Sequence, residues 1–205
     1  MLGREATLLV PIDRRSVRQE LRLLLQGVDG LAGEGLAAAL HRAAEAATAV
    51  LRAQGAGVML ADEHEVLRCA AASGPQGRGL ATAQELLGAG PALDSFANGM
   101  PVTSRDVTAD GRWPDLRHLI DRAAVRAVLS APLTLPEGRP IGALNLHSSR
   151  ARDWEVTDIA ATMAYAGVVA GLIAMALEAR LRGVLLDKLL QALRGVGDRP
   201  DIEDG

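Results

Sequence analysis

The chain has 205 residues, 49% of them hydrophobic and 23% charged, which suits one well-filled soluble domain with additional helices. A net charge of −3 and a pI near 5.8 argue against a polyanion-seeking surface, so no nucleic-acid partner is expected. A single cysteine, Cys69, excludes an internal disulfide and any multi-cysteine metal site, and aromatics at 2% leave the core to Ala, Leu and Val.

In chain order, the N-terminal apolar run is too short for a signal peptide, and the expected compartment is the cytoplasm. Ser16 and Gln19 have capping-box spacing and Gly27 sits where a helix would stop, so residues 1–35 read as a short helix followed by the linker Gly30–Gly35. A longer helix is expected from Leu36 to Gln54, its stripe formed by Leu36, Leu40, Ala43, Ala47, Val50 and Leu51, with Gly55 and Gly57 ending it. Gly57–Ala61 and Val66–Ala72 read as a strand pair around the polar turn Asp62–Glu65. Gly74–Gly79 (GPQGRG) reads as a loop, since it lacks the Gly-Lys-Ser/Thr ending of a phosphate-binding loop. A helical piece at Thr82–Leu87, a short strand at Pro101–Thr103, a turn at Trp113-Pro114 and a helix over Leu116–Ala124 follow.

The firmest local signal is Arg126–His147, two apolar runs flanking Pro136-Glu137-Gly138-Arg139-Pro140. Proline presets φ and glycine supplies φ > 0, so the segment predicts a β-hairpin. Period-two alternation on Ile141–His147 places Ala143, Asn145 and His147 on one face and Gly142, Leu144 and Leu146 on the other.

A long helix is expected from Val156 to Leu193, on the order of 55 Å, with the tail 195–205 disordered. Ile159–Leu177 carries no charge over 19 positions and includes Gly167-x-x-x-Gly171, spacing compatible with a membrane span. Its alanine-rich composition and its run into the amphipathic segment from Glu178 favour a buried helix, and no membrane is expected. Beyond the domain, Leu177, Leu181, Val184, Leu185, Leu189 and Leu193 recur at three- and four-residue intervals, the stripe of a dimerisation helix over residues 178–194. A partner helix from a second copy, or the leucine-rich N-terminal segment folding back, would cover it.

The block from Gly57 to Leu177 resembles a GAF domain, a small-molecule-sensing regulatory module. More narrowly, it is similar to the GAF portion of actinobacterial GAF–ANTAR regulators. The matching pieces are Gly57-Val58-Met59-Leu60, Gly90-Pro91 with Asp94, Gly99-x-Pro101-Val102, Arg112-Trp113-Pro114, Val125–Leu133 and Ile141–Leu146. The resemblance implies an α/β (α+β) fold over residues 36–177: an antiparallel sheet, the first and last helices on one face, and a loop- and helix-covered pocket on the other. An ANTAR output would need a further helical bundle after the long helix, and none is expected before Gly205. The cyclic-nucleotide signature of some GAF domains needs an internal lysine, whereas the sole lysine here is Lys188. One cysteine cannot complete a sulfoxide-reducing relay, and Cys69 has no adjacent histidine for chromophore attachment.

The candidate ligand-binding residues are Trp113, Arg117, His118, Ser130, Asn145 and His147: the strand face supplies Asn145 and His147, and the lid supplies Trp113, Arg117 and His118. Each also has a plain structural role open to it, as lid packing, solvated charge or strand-end hydrogen bond. His41, His64, His118 and His147 show no metal-ligand spacing, and a haem would need His118 or His147 as axial ligand. Ser95, Ser130 and Asp94 lack a Gly-x-Ser-x-Gly elbow. The expectation is a non-enzymatic, homodimeric regulatory protein without a resident cofactor, its effector unidentified and a protein partner open to it, with a purely structural dimerisation module as the alternative and a membrane-anchored or haem-binding sensor behind that.

Overall fold

The structure is a computed structural model that describes residue 19 and residues 33–120, 125–136 and 138–197. Apart from residue 19, the proposed N-terminal helix around Ser16 and Val17–Leu25 lies outside the described residues, as do the tail 198–205 and the side chains of Lys188, Leu189 and Leu193. The described chain runs α1 (Gly33–Val50), β1 (Gly55–Ala61), β2 (Leu67–Ala72), α2 (Pro75–Leu87), α3 (Pro91–Asn98), β3 (Val102–Ser104), α4 (Leu116–Ile120), β4 (Ala127–Thr134), β5 (Pro140–Ser148) and α5 (Val156–Gly197).

The five strands form one antiparallel sheet in the order β2-β1-β5-β4-β3, with the β4–β5 hairpin near its middle. Its turn closes where proposed: the Gly138 amide donates to the Leu135 carbonyl (2.9 Å), and Gly138 takes φ +88°, which a glycine adopts without strain. Burial on both faces explains the near-continuous apolar runs of β1, β4 and β5.

Helices α1 and α5 cover one face. Leu36 and Leu40 of α1 and Ala166, Val169, Ala170, Ile173 and Leu177 of α5 pack on Val58, Leu60, Ala131, Leu133 and Leu144. The Tyr165 hydroxyl of α5 donates to the Ala43 carbonyl of α1 at 2.8 Å, fixing the two helices against each other. Helices α2, α3 and α4 cover the opposite face: Ala81 and Ala92 sit against Met59 and Ala143, and Leu80, Leu116 and Ile120 against Val128.

Several boundaries differ from the sequence expectations. Gly74–Gly79 is not a loop: helix α2 starts at Pro75, whose fixed φ suits a first helical position, and Gly77 is buried within it. Gly33–Gly35 opens α1 rather than lying in a linker, Gly55 begins a strand rather than ending a helix, and Val50 of the proposed apolar stripe is exposed. Helix α5 spans 42 residues, about 63 Å. Over Val156–Asp187 it is long and apolar enough to cross a membrane by length and composition, yet one stripe of it is packed on the sheet.

Candidate functional site

Strand alternation builds the site. On β5, Leu144 and Leu146 point toward α1 and α5, while Ala143, Asn145 and His147 point toward α2 and α3. Register places Ser130 of β4 on one side of Asn145 and Gly57 of β1 on the other, and sets Gly55 opposite His147. The sheet therefore brings together three of the six proposed residues, Ser130, Asn145 and His147, all buried. The Ser130 hydroxyl donates to Asn145 Oδ1 at 2.5 Å.

Two polar atoms on this face have no hydrogen-bond partner among the described residues: Asn145 Nδ2 and His147 Nδ1. Their residues are only 2% and 4% exposed, so both atoms lie away from bulk solvent. Burial pushes His147 down from 6.5 to about 4, which keeps its imidazole neutral at physiological pH. Room for that ring comes from glycine. A Cβ on Gly55 would lie 2.2 Å from His147 Cε1, and one on Gly77 would lie 2.8 Å from the Ala56 carbonyl oxygen and 3.3 Å from the ring. Glycines at these positions let α2 approach β1 closely, with the imidazole between them.

Two further buried polar residues extend the strip. Gln84 of α2 accepts the Ala92 amide of α3 at 2.8 Å, tying the two helices together, and its Nε2 reaches the Leu80 carbonyl at 3.4 Å. Ser95 of α3 donates to the Ser130 carbonyl at 3.4 Å. Sequence reasoning missed both as site residues, because nothing marks a Gln or Ser whose partner is a distant backbone group.

The other three proposed residues are placed differently. Trp113 does not wall an open pocket: it is buried among Leu80, Val107, Leu116 and Ile120, and its indole N–H donates to Asp94 Oδ2 at 3.1 Å. The guanidinium of Arg112 lies over its ring, 4.2 Å from the centroid. Arg117 and His118 are exposed on α4, where Arg117 Nε donates to His118 Nε2 at 3.2 Å, because Leu116 and Ile120 take the inward positions. His118 is therefore not brought to His147. The nearby surface concavity, a shallow groove of about 400 Å³ lined by Arg78, Thr82 and Leu86 of α2 and Leu119 of α4, lies on the outer side of α2. Asn145 itself is buried beneath α2 and α3, away from this groove.

Of the serines considered as nucleophiles, Ser130 donates to an amide and Ser95 to a carbonyl, while Asp94 accepts from an indole. The Cys69 thiol is half-buried, and burial pushes its pKa up, away from a reactive thiolate. Among the described residues no His, Cys, Asp and Glu cluster could hold a metal ion.

With a five-stranded antiparallel sheet, two long helices on one face and three short helices over a polar strip on the other, the comparison with known families is decisive. The sequence model of the GAF domain matches residues 35–177. The chain belongs to the GAF domain family. GAF domains are sensory and regulatory modules that bind small molecules. Solved structures share the fold at low identity. One is a domain from a Sinorhizobium meliloti 1021 protein assigned as a two-component sensor histidine kinase, at TM-score 0.59 and 19% identity, covering 71% of this chain and 94% of that one. Another is the GAF domain of a Coxiella burnetii phosphoenolpyruvate-protein phosphotransferase, at 0.57 and 18%, covering 84% and 99%. A third is a type II free methionine-R-sulfoxide reductase from Thermoplasma acidophilum, at 0.53 and 17%, covering 68% and 93%. No curated protein matches the chain in sequence.

Proposed function

We propose that this GAF domain is a non-enzymatic, cytoplasmic sensor that receives an uncharged small molecule against the Ser130–Asn145–His147 face and works as a homodimer through α5. The observation that carries the reading is the pair of buried, unpartnered atoms, Asn145 Nδ2 and His147 Nδ1. Leaving a buried donor unsatisfied costs about 1–3 kcal/mol, so a fold without another use for this amide would gain by losing it. The ligand class follows from charge. Ser95, Ser130, Asn145 and Gln84 are neutral and His147 is held neutral, so an ion would be buried without a counter-charge, whereas a neutral group bearing a hydrogen-bond acceptor would satisfy Asn145 Nδ2. The likeness to the GAF portion of GAF–ANTAR regulators rests on sequence motifs and supports a regulatory role.

The test is the double variant Ser130→Ala/Asn145→Leu, which replaces both partners of a buried hydrogen bond by apolar groups of similar shape. It is expected to melt within about 2 °C of the native protein or above it, because such paired replacement is nearly neutral or stabilising. It is also expected to lose every melting shift that a panel of uncharged metabolites produces in the native protein. The closed packing of α2 over this face supports the second reading, a dimerisation module without ligand, and under that reading no compound shifts either protein.

The dimer rests on the outer face of α5. Ala164, Gly167, Val168, Gly171 and Met175 form an uncharged exposed stripe, with Val168 69% and Met175 71% exposed and open space beside both glycines. This stripe and Leu185 on the extension carry the interface better than the proposed set as a whole. Leu177, by contrast, is 5% exposed and packed in the domain core beside Ile173, so it is not open to a partner helix. Leu181 and Val184 are half-buried. Sedimentation velocity at micromolar concentration is expected to show a dimer, and Val168→Glu to weaken it by roughly a hundredfold or more, since burying an unpaired charge costs about 3–5 kcal/mol. A native protein sedimenting as a monomer contradicts the assignment.

A further inference from the structure

Edge strand β3 is three residues long, yet it joins the two faces of the sheet. On the α2–α4 face, the loop 105–115 grips it twice. Arg112 donates to the Thr103 carbonyl at 2.6 Å and to Asp110 Oδ2 at 2.7 Å, and the same Asp110 oxygen accepts the Ser104 hydroxyl at 2.7 Å. The Arg112 guanidinium holds the Asp110 carboxyl down at about 2, with the Ser104 hydroxyl adding to this, so the clamp stays charged across the physiological range. Arg112 also stacks on Trp113, whose indole is bonded to Asp94 of α3, the helix that lies over Ser130 and Asn145.

On the opposite face, the Ser104 carbonyl accepts the Trp154 indole N–H at 3.3 Å. Trp154 packs with Leu146, Ile159 and Tyr165, and Arg152 stacks over it at 4.3 Å while pairing with Asp158 in the first turn of α5. The Arg152 amide donates back to the Arg105 carbonyl at 3.2 Å, and Arg105 pairs with Asp153 at 3.0 Å. The chain's two tryptophans, each capped by an arginine, thus sit on opposite faces of the sheet and are linked through Ser104, Trp154 by a direct hydrogen bond and Trp113 by way of Arg112 and Asp110. Val102 of the same strand pairs with Ser130 of the candidate site.

We propose that β3, through Ser104, is a mechanical relay: displacement of α3 and the loop 105–115 by a ligand at Asn145 is transmitted to the first turn of α5. This rests on the ligand reading for what moves the loop, and on the hydrogen bonds above for how the motion travels. Packed elements with discrete hydrogen-bonded arrangements carry coupling of this kind, and energetic coupling between its two ends must be reciprocal.

Hydrogen–deuterium exchange of the full chain tests it without a ligand. Arg112→Ala releases the loop's grip on β3 and is expected to speed exchange about tenfold both in peptides covering 105–115 and in peptides covering 152–160. In a Trp154→Phe background, which keeps a ring but removes the indole N–H, the effect at 105–115 should persist and the effect at 152–160 should vanish. By reciprocity, Trp154→Phe alone should speed exchange at 105–115. If Arg112→Ala does not fold, Arg112→Lys, which keeps the charge but loses the fork geometry, should give the same pattern at smaller amplitude. Unchanged exchange at 152–160, persistence of that effect in the Trp154→Phe background, or an increase spread evenly over the sheet overturns the relay. The melting experiment reads the ligand site and the exchange experiment reads the relay, so either can fail alone.

Discussion

Gly142→Ala is expected to destabilise the protein by about 3 kcal/mol or more, read as a lowered urea midpoint at constant m. Gly142 lies in β5 between Leu60 of β1 and Leu133 of β4. A Cβ there would sit 2.1 Å from the Met59 carbonyl oxygen, 2.8 Å from Leu60 Cδ2 and 3.1 Å from Leu60 Cα. Two of these three atoms are backbone, and in the middle of a sheet they move only if the strands part. Overpacking of a well-filled interior is felt because there is no adjacent void to absorb it. The same chemical change at Gly35, in the first turn of α1 with nothing within 4 Å, is expected to be neutral or slightly stabilising. Equal effects at the two positions would contradict the close approach of β1 and β5.

Acidification from pH 7 to pH 4 is expected to remove about 3 kcal/mol of stability through His147 alone. Burial lowers its folded-state pKa from 6.5 to about 4, with the ring enclosed between β1 and α2. The unfolded chain therefore takes up the proton first as pH falls. The full stability is present above pH 6.5, declines between 6.5 and about 4, and changes no further through this group below that, at about 1.4 kcal/mol per unit of difference. The braced carboxylates act in a lower window. Arg126 beside Asp106 and Arg112 beside Asp110 hold both below the usual carboxylate value of 3.8, so their contribution is intact at pH 4 and is lost on further acidification. His147→Leu should flatten the slope between pH 6.5 and 4 and leave the loss below pH 4 in place. A variant that keeps the slope would show that another group is responsible.

The parts of this fold that were legible in sequence are those where one local rule acts alone. The β4–β5 hairpin follows from Pro136 and Gly138, and the two faces of β5 follow from alternation, so Asn145 and His147 could be assigned to one side before any tertiary information. Glycine was where reading failed. Gly55 and Gly77 read as punctuation, but they allow the close approach of α2 to β1, and that requirement exists only once His147 lies opposite Gly55. Arg117 and His118 went astray because α4, at five residues, is too short for its pattern to show which side faces inward. Leu177 continues the spacing of the extension's leucines, and spacing alone does not reveal where the sheet beneath the helix ends. Gln84 and Ser95 carry no sequence signal, since the amide and carbonyl they bond belong to other elements.

The central claim is that Asn145 and its neighbours are retained for a ligand rather than for the fold. Thermal melting of the native protein and of Ser130→Ala/Asn145→Leu, each alone and against the same panel of uncharged metabolites, tests it most directly. The account predicts a ligand-free double variant at least about as stable as the native protein, and a native protein that at least one compound stabilises while the variant stays unmoved. A double variant that melts several degrees lower without ligand, together with a panel that shifts neither protein or shifts both alike, would contradict it.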